Sequence, residues 1–502
     1  MTEKSWTRIV GAQFIARLDV CESRNKLRSY KTVPFVLLAA LSGCSMMPDY
    51  ERPAAPVPDA WPDSVKLKIT REIVLGDWPD YFTEPRLQAL IRAALENNRD
   101  LRIATARIAE ARAQYGIQQA DRLPNLNLAA GRNASLTPAG ASAFSANAIH
   151  SQRYDVGISL VSFELDFWGR VSSLSEAAKA GYLATEAAQR AFRLSLIADV
   201  ANASLSLQEL RERTELAAET ARTRGEYRDL TARRRDLGVS SNLDFLQADG
   251  AYQATLAERA SLERQQAAAA NLLDLLVGQP VAQIENLPAA RKLATHDLHN
   301  GLRAGLPAEV LLQRPDVLAA EQKLIAANAN IGAARAAFLP RITLTGSVGT
   351  ASRTLGGLFD AGSGAWSFQP ALTLPLFDAG RNSANADVAE ARKIIAVAEY
   401  EKTIQQAFRE VADLLNAREK LAEQLAAQLA SADAQSQLLK LVEARYKAGV
   451  ANHLEVLDAQ RESFAAQQGA LQVRRTLLSA DAQLYKALAG YGSQGVRHVA
   501  SQ

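Results

Sequence analysis

Hydrophobic and polar residues alternate in two neighbouring stretches of the chain, and a very long helical pattern follows them. Over residues 342–348, isoleucine, leucine and valine alternate with threonine and serine, which predicts a β-strand with one apolar face. A second alternating run covers residues 366–376, after a glycine-rich break. From Arg381 to Gly449 no proline interrupts a helical pattern. A helix of about 68 residues would be roughly 100 Å long, far longer than the helices of ordinary globular domains.

The same succession occurs upstream. Alternating runs follow Pro124 at residues 126–128 and 154–160. The alternation then slips by one residue before Phe163, which predicts a β-bulge or a change of surroundings. After Trp168-Gly169-Arg170 a helical pattern of about 67 residues runs to Leu237, where a turn and a returning helix are predicted.

The two halves correspond at constant offsets. Leu123-Pro124 matches Leu339-Pro340, and Gly238-Val239 matches Gly449-Val450, so the chain is predicted to be a tandem repeat of helix, hairpin, long helix, turn and helix. The predicted segments are a signal peptide with an N-terminal extension (1–43), a lipidated tether (44–83), the first repeat (84–282), a linker (283–306), the second repeat (307–490) and a flexible tail (491–502). Strands are predicted at about 124–135, 152–167, 340–354 and 365–377.

The apolar faces and unpaired edges of the two predicted hairpins must be covered by other structure or by lipid. An isolated hairpin is marginal in water, and in lipid the only viable sheet is a closed barrel, which begins at about eight strands. One chain cannot close such a barrel, so several chains must share it. Two chains would give eight strands and three would give twelve, and the pattern does not choose between them. The apolar strand faces would meet lipid and the polar faces a water-filled lumen.

The last long helix carries a packing seam. Ile404, Phe408, Val411 and Leu415 follow one another at steps of four, three and four, and Leu425 and Leu429 continue the series. This spacing is typical of coiled-coil packing. For the helices alone, a soluble coiled coil is the simpler interpretation, but the hairpins between them favour a membrane duct.

The N-terminus contains a targeting signal. Basic residues precede the apolar run 33–41, which is too short to span a bilayer but fits a signal peptide. The run ends in Leu41-Ser42-Gly43-Cys44, which resembles the lipobox of bacterial lipoproteins, where the cysteine is acylated and becomes the mature N-terminus. By the same resemblance, Ser45 favours sorting to the outer membrane. A buried structural cysteine is the alternative for Cys44.

Composition excludes several function classes. The chain has 502 residues and a net charge of +3, and the absence of a basic block argues against nucleic-acid binding. Two cysteines are too few for a disulfide framework. His296 and His299 are three positions apart but have no third ligand near them in the sequence, so no metal site is predicted. Without a phosphate-binding loop or nucleophile elbow, we expect no enzyme and no cofactor except the covalent lipid, such as palmitate, on Cys44.

Five segments resemble signatures of the outer-membrane efflux lipoproteins, the NodT-type branch of the TolC superfamily. They are YDVG at 154–157, ELDFWGR at 164–170, LLQRPDV at 311–317, AANANIGAARAAFLP at 326–340 and LFDAGR at 376–381. The resemblance covers about residues 44–490. It implies a mainly α fold with β structure: a homotrimer with a twelve-stranded outer-membrane barrel continued by a long periplasmic α-helical barrel. It also implies passive conduction of drugs or other toxic compounds, with a periplasmic adaptor and an inner-membrane pump of the RND type as partners.

The resemblance also assigns roles to the helix tips. Gly238-Val239-Ser240 and Gly449-Val450-Ala451 would contact the adaptor, although glycine there can simply end a helix in the left-handed conformation. Leu454 and Asp458 lie one turn apart on the returning helix and would form apolar and carboxylate rings of a periplasmic gate. Three-fold symmetry would make Asp458 attractive to cations, whereas a solvated surface aspartate is the plainer alternative.

The first repeat is expected to differ at the gate. We place Asp244 and Gln247 at the positions equivalent to the gate residues, so an acid matching Asp458 is missing and the gate is expected to be asymmetric between repeats. His453, beside the mouth, could titrate.

Two other functions compete with the duct. A periplasmic lipoprotein adaptor has one helical hairpin rather than a duplicated unit. A soluble coiled-coil scaffold needs neither alternating strands nor a lipobox. The sequence does not identify the exported compound or the particular pump and adaptor. It also does not show whether the gate is open or closed at rest.

Overall fold

A computed structural model describes residues 45–58, 78–140, 147–296 and 308–488. The predicted signal peptide, Cys44, parts of the tether and linker, and the tail lie outside these residues. The helices and strands in chain order are α1 (Trp78–Tyr81), α2 (Pro85–Asn97), α3 (Arg99–Ala120), β1 (Leu126–Thr137), β2 (Ile149–Leu165), α4 (Arg170–Asp236), α5 (Asn242–Val277), α6 (Pro315–Ala336), β3 (Arg341–Ser352), β4 (Gly364–Thr373), α7 (Arg381–Lys447) and α8 (His453–Leu488).

The two long helices are confirmed. Both α4 and α7 have 67 residues, which is roughly 100 Å at about 1.5 Å per residue. Their returning partners α5 and α8 both have 36 residues. The two halves of the chain therefore repeat the same helix lengths as well as the same element order. Within the described part of the chain, none of the helices is long and apolar enough to cross a membrane.

The four strands form one antiparallel sheet in the order β1-β2-β3-β4. The two hairpins thus join through β2 and β3, and β1 and β4 are its outer strands. The register shifts between Leu160 and Phe163, and Ser162 between them has φ 50°. This confirms the bulge predicted from the slip in alternation.

Each face of the sheet has its own chemistry. One row of paired residues across the four strands is apolar: Leu128, Ile158, Val348 and Trp366. All four side chains are exposed in the single chain. The neighbouring row on the other face is polar, and the Ser347 and Ser367 hydroxyls are 2.8 Å apart. The expected separation of an apolar and a polar face is therefore present.

The strand ends differ from the predicted ones by a few residues. β4 stops at Thr373, whose partner Arg341 is the first residue of β3, although a strand to residue 377 was expected. Pro375 follows two residues after Thr373 and has no N–H for a ladder hydrogen bond. The apolar residues beyond it, Leu376 and Phe377, are exposed and belong to the connection into α7.

The main hydrophobic core lies where α2, α4, α6, α7 and α8 meet. In α7, Ile404, Val411 and Leu415 are buried in it, and Phe408 packs against it partly buried, as the seam predicts. Leu425 is also buried, but Leu429 is 45% exposed, so the predicted continuation to Leu429 is wrong. Beyond Leu425 the buried positions of α7 continue at Ala432, seven positions further on, and at Val442.

Candidate functional site

The two helix tips have the same backbone geometry. Gly238 has φ 75° and Gly449 has φ 76°, the left-handed region that glycine enters without a steric penalty. In each tip the next residue donates its N–H to a carbonyl five positions back, Val239 to Arg234 at 2.9 Å and Val450 to Arg445 at 2.9 Å. This is the Schellman ending of a helix, so both glycines have a structural role whatever the tips contact.

The tips present apolar side chains to solvent. Val239 is 64% and Val450 68% exposed, while Ser240 and Ala451 beside them are partly buried. Valines that are about two-thirds exposed at the ends of two hairpins bury little of their apolar surface within the chain. The Val239 and Val450 side chains are therefore available for apolar contact with a partner protein.

The returning helices begin with equivalent caps. Asp244 accepts from the Ser241 N–H at 3.0 Å while its own N–H donates to Ser241 Oγ at 3.1 Å. In the second repeat, Glu455 and Asn452 exchange the same two bonds at 3.3 and 2.9 Å. Both are reciprocal capping arrangements. The hydrogen bonds from Ser241 and Ser240 hold the pKa of Asp244 below its usual range.

This equivalence corrects one expectation. Asp244 corresponds to the cap residue Glu455 and not to Leu454. The residue that precedes Asp244, Leu243, occupies the place of Leu454, and both leucines are exposed. Apolar side chains thus stand at corresponding places in both repeats, and the difference between repeats lies one turn further on, where Gln247 stands in the place of Asp458.

The predicted gate residues project from the beginning of α8. Leu454 is 52% exposed, and the Asp458 carboxylate lies 3.3 Å from the Arg461 guanidinium. Arg461 also contacts Glu462 at 3.2 Å. The sequence prediction did not include Arg461, although its spacing of three positions from Asp458 is the signal for an ion pair on a helix.

The ELDFWGR segment connects the sheet to the long helix α4. Glu164 accepts from both ends of the Arg170 guanidinium, at 2.8 and 2.7 Å, and from Arg341 of the second repeat at 2.6 Å. Asp166 accepts from the N–H groups of the first turn of α4 at 3.1 and 2.7 Å. The Trp168 indole donates to the Pro340 carbonyl at 2.8 Å. This segment therefore starts a helix and ties the two repeats together.

The described tether, residues 45–58, follows α6 and reaches the beginning of α4. A Cβ atom added to Gly169 would lie 3.3 Å from Ser45 Cα, and one added to Gly332 would lie 2.7 Å from Met47 Cα. Asn328 donates to the Pro48 carbonyl at 2.7 Å. The first described residue after Cys44 is therefore placed next to the junction between the sheet and the long helix.

No cluster of three or more histidine, cysteine, aspartate or glutamate side chains suited to a metal occurs among the described residues. His296 lies 3.6 Å from Glu84, and His299 lies outside the described part. The candidate functional regions are therefore the helix tips, the strand-to-helix junction and the tether.

Comparison with known proteins shows the family. Residues 90–279 and 306–490 match the profile of the outer membrane efflux protein family, and the chain belongs to that family. It is 45% identical over 462 residues to outer membrane protein OprJ of Pseudomonas aeruginosa, covering 92% of this chain and 95% of OprJ. It is 40% identical over 463 residues to cation efflux system protein CusC of Escherichia coli O157:H7, covering 92% and 98%.

Solved structures agree with this assignment. The open state of the MtrE outer membrane channel of Neisseria gonorrhoeae superimposes with a TM-score of 0.80 at 41% identity, covering 89% of this chain and 98% of that one. The fold is therefore that of the trimeric TolC-like outer-membrane channels. The family is one of efflux channels and not of enzymes, so the adaptor and coiled-coil scaffold alternatives are wrong.

Proposed function

We propose that three copies of this chain form a lipid-anchored duct that conducts small toxic molecules passively from an inner-membrane pump and a periplasmic adaptor to the exterior. The main support for this proposal is a four-stranded sheet with an exposed apolar face at the end of two 67-residue helices. Three such sheets, joined at their outer strands β1 and β4, supply the twelve strands of a closed barrel, which leaves no unpaired edge in lipid.

Membrane fractionation tests this assembly. We expect the mature protein in the outer membrane as an oligomer that heating converts to monomers. Purified protein in a planar bilayer should give discrete conductance steps. Monomeric protein in the soluble fraction, without such steps, would contradict the proposal.

The lipid anchor is proposed at Cys44. Its support is the lipobox resemblance together with the position of Ser45 against Gly169, near the strand-to-helix junction. Mass spectrometry of the mature N-terminal peptide should find acyl chains on Cys44, and Cys44→Ala should lack them. An unmodified Cys44 in membrane-purified protein would remove the anchor from the proposal. Membrane insertion of Cys44→Ala would not, because the barrel itself still inserts.

The gate is proposed at Leu454 and Asp458. Both project from α8 one turn apart, and threefold symmetry would gather three copies of each around one axis. Asp458→Ala should raise single-channel conductance and antibiotic leak. Glu462→Ala is the matched control, because it removes a neighbouring exposed carboxylate that also contacts Arg461. Equal effects of the two variants would exclude a special role for Asp458.

The adaptor is proposed to contact Gly238-Val239-Ser240 and Gly449-Val450-Ala451. Exposed valines at both tips support this, since an apolar contact would desolvate them favourably. Replacing Val239 and Val450 with aspartate should abolish cross-linking to the periplasmic adaptor of the same efflux system. Threonine at the same positions keeps the shape and should lose less. Cross-linking that is unchanged with aspartate would place the contact elsewhere.

The pump is proposed to be of the RND type, and the cargo is proposed only as small toxic molecules. Relatives of similar identity are named for toluene efflux at 44%, cation efflux at 40% and antibiotic efflux at 41%. Such different cargoes on ducts of similar sequence favour selection by the pump and adaptor. Deleting the gene of the inner-membrane pump that uses this duct should therefore reproduce the sensitivity profile of deleting the duct gene.

A further inference from the structure

His453 is the first residue of α8, directly before the proposed gate residue Leu454. It is only 9% exposed, unusual for a residue at the tip of a hairpin. Its imidazole is stacked on the Tyr227 ring of α4, with ring centroids 5.0 Å apart and an interplanar angle of 28°. This stack joins the beginning of the gate-bearing helix to the end of a helix in the other repeat.

Neither imidazole nitrogen has a hydrogen-bond partner in the described structure, although Nδ1 and Nε2 are both buried. A neutral imidazole tolerates this at moderate cost. A protonated imidazolium has two N–H donors and a full charge, and burying these without partners is far more expensive. The pocket therefore fits the neutral ring and not the charged one.

The groups around His453 come from three other helices. From α4, Tyr227 stacks on it and Arg234 adds a positive charge nearby. From α7, the Tyr446 hydroxyl accepts from Arg234 at 3.0 Å. From α5, Asp244 is the one nearby carboxylate that raises the pKa of His453, but its oxygens are engaged by Ser240 and Ser241.

Burial is the largest cause that lowers the pKa of His453, and Arg234 lowers it further against the opposing effect of Asp244. The helix N-terminus disfavours a positive charge as well. Stacking on Tyr227 partly offsets this through a cation–π attraction. The stack is thus formed by the neutral ring and is weakened by a proton.

We propose that His453 is an acid-sensitive latch of the periplasmic mouth, closed while the ring is neutral and released by protonation. The proposal rests on the proposed gate. When the imidazolium leaves its pocket for water, the first turn of α8 moves away from Tyr227. Leu454 is the next residue and Asp458 lies just over one turn further on, so this movement separates the rings that constrict the mouth.

The direction of the pH effect follows from the two states. In the released state the ring is in water and has its ordinary pKa of about 6.5, whereas in the stacked arrangement, which the proposal assigns to the closed mouth, the pKa is lower. The released state therefore binds more protons as the pH falls below about 6.5. Acidification shifts the equilibrium toward the open mouth, and the shift levels off below the pKa of the closed state.

Single-channel recording on the purified trimer tests the latch. The pH on the periplasmic side is lowered from 7.5 to 5 while the other side stays at 7.5. We expect the wild-type open probability to rise on acidification. In His453→Phe, which keeps the aromatic stack and cannot titrate, we expect this rise to be lost. His150→Phe, on the exposed part of β2, is the matched control and should behave as wild type.

Asp458→Asn separates the latch from the gate carboxylate. If His453 is the sensor, the rise on acidification persists in Asp458→Asn and disappears in Asp458→Asn/His453→Phe. A His453→Phe channel whose open probability still rises like the wild type overturns the latch. A protein that gives no conductance steps at any pH overturns the proposed channel instead, so the two failures are distinguishable.

Discussion

Arg52 Nε lies 2.6 Å from Glu321 Oε1, which fastens the N-terminal tether to α6 across a sequence separation of 269 residues. Arg52 Nη2 donates to the second carboxylate oxygen at 3.0 Å, and the Tyr50 hydroxyl donates to the first at 3.1 Å. Only 6% of the Glu321 side chain is exposed, against 53% of Arg52. The helix thus holds a buried acid that the tether neutralises, and this pairing fixes the tether against α6.

Arg52→Ala should release the tether. It leaves the Glu321 carboxylate buried with only the Tyr50 hydroxyl, at a cost of about 1–3 kcal/mol for an unsatisfied group. We expect faster cleavage of the tether by limited proteolysis, with the rest of the trimer intact. Glu51→Ala, an exposed neighbour, is the control. Equal cleavage rates in wild type and Arg52→Ala would show that the ion pair does not hold the tether.

Gly332→Ala should displace the tether by a steric route. An added Cβ would lie 2.7 Å from both Met47 Cα and Ser173 Oγ, so the tether backbone must move. Gly181→Ala is the matched control, since it is also a helical glycine but has nothing within 4 Å of an added Cβ. It should stabilise its helix by up to about 1 kcal/mol. Thermal melting of the two variants should shift in opposite directions, and a shift in the same direction would argue against close contact at Gly332.

Asp481 should make the stability of the trimer depend on pH. Burial is the largest influence and raises its pKa from 3.8 to about 6, against the opposing effect of Arg418 at 2.8 Å. The folded state therefore binds an extra proton between these values. Its contribution, about 3 kcal/mol per chain for a shift of about two pH units, is present at low pH and is lost as the pH rises through about 6.

Melting temperatures measured from pH 7.5 to 5 check this dependence. The difference between wild type and Asp481→Asn isolates the single group from all others that titrate in the same range. We expect the wild type to gain stability relative to the variant as the pH falls. Parallel pH profiles would mean that Asp481 is not the titrating group.

Glu164→Gln should weaken the junction between sheet and helices. The substitution keeps the size of the side chain but leaves Arg170 and Arg341 without their shared carboxylate. Arg170 is 31% and Arg341 54% exposed, so losing these charge-assisted hydrogen bonds costs about 1–3 kcal/mol. Glu176→Gln is the control, because it breaks the exposed pair with Lys179 at 2.9 Å, worth about 0–1 kcal/mol. Heat resistance of the oligomer in detergent should fall much more for Glu164→Gln, and similar losses would refute a special role for this cluster.

Local pattern predicted much of this fold because periodicity reports an element's own geometry. The run without proline from Arg381 gave a 67-residue helix, and the slip before Phe163 gave a bulge. Prediction failed where a neighbour decides the outcome. Leu429 fits the heptad series but is exposed, whereas Leu425 and Ala432 on either side of it are buried against neighbouring structure.

The site was predicted in the same uneven way. The turn glycines and the exposed positions of Leu454 and Asp458 follow from the repeat and the helical spacing. Pairing Asp244 with Leu454 was wrong, since capping geometry and not nearness to the gate defines its equivalent. No sequence signal marks His453 as buried against Tyr227, because the two residues are 226 positions apart and belong to different repeats.

The sequence by itself determined the element types, their lengths and the duplication, since backbone hydrogen bonding within a helix or hairpin depends on nearby residues. The tertiary structure decided which distant charges meet, such as Arg52 with Glu321 and Arg341 with Glu164. It also decided which side chains lose their water, such as His453 and Asp481. Those outcomes depend on how the repeats pack against each other, and the free energy of a buried charge is set by everything around it rather than by its place in the chain.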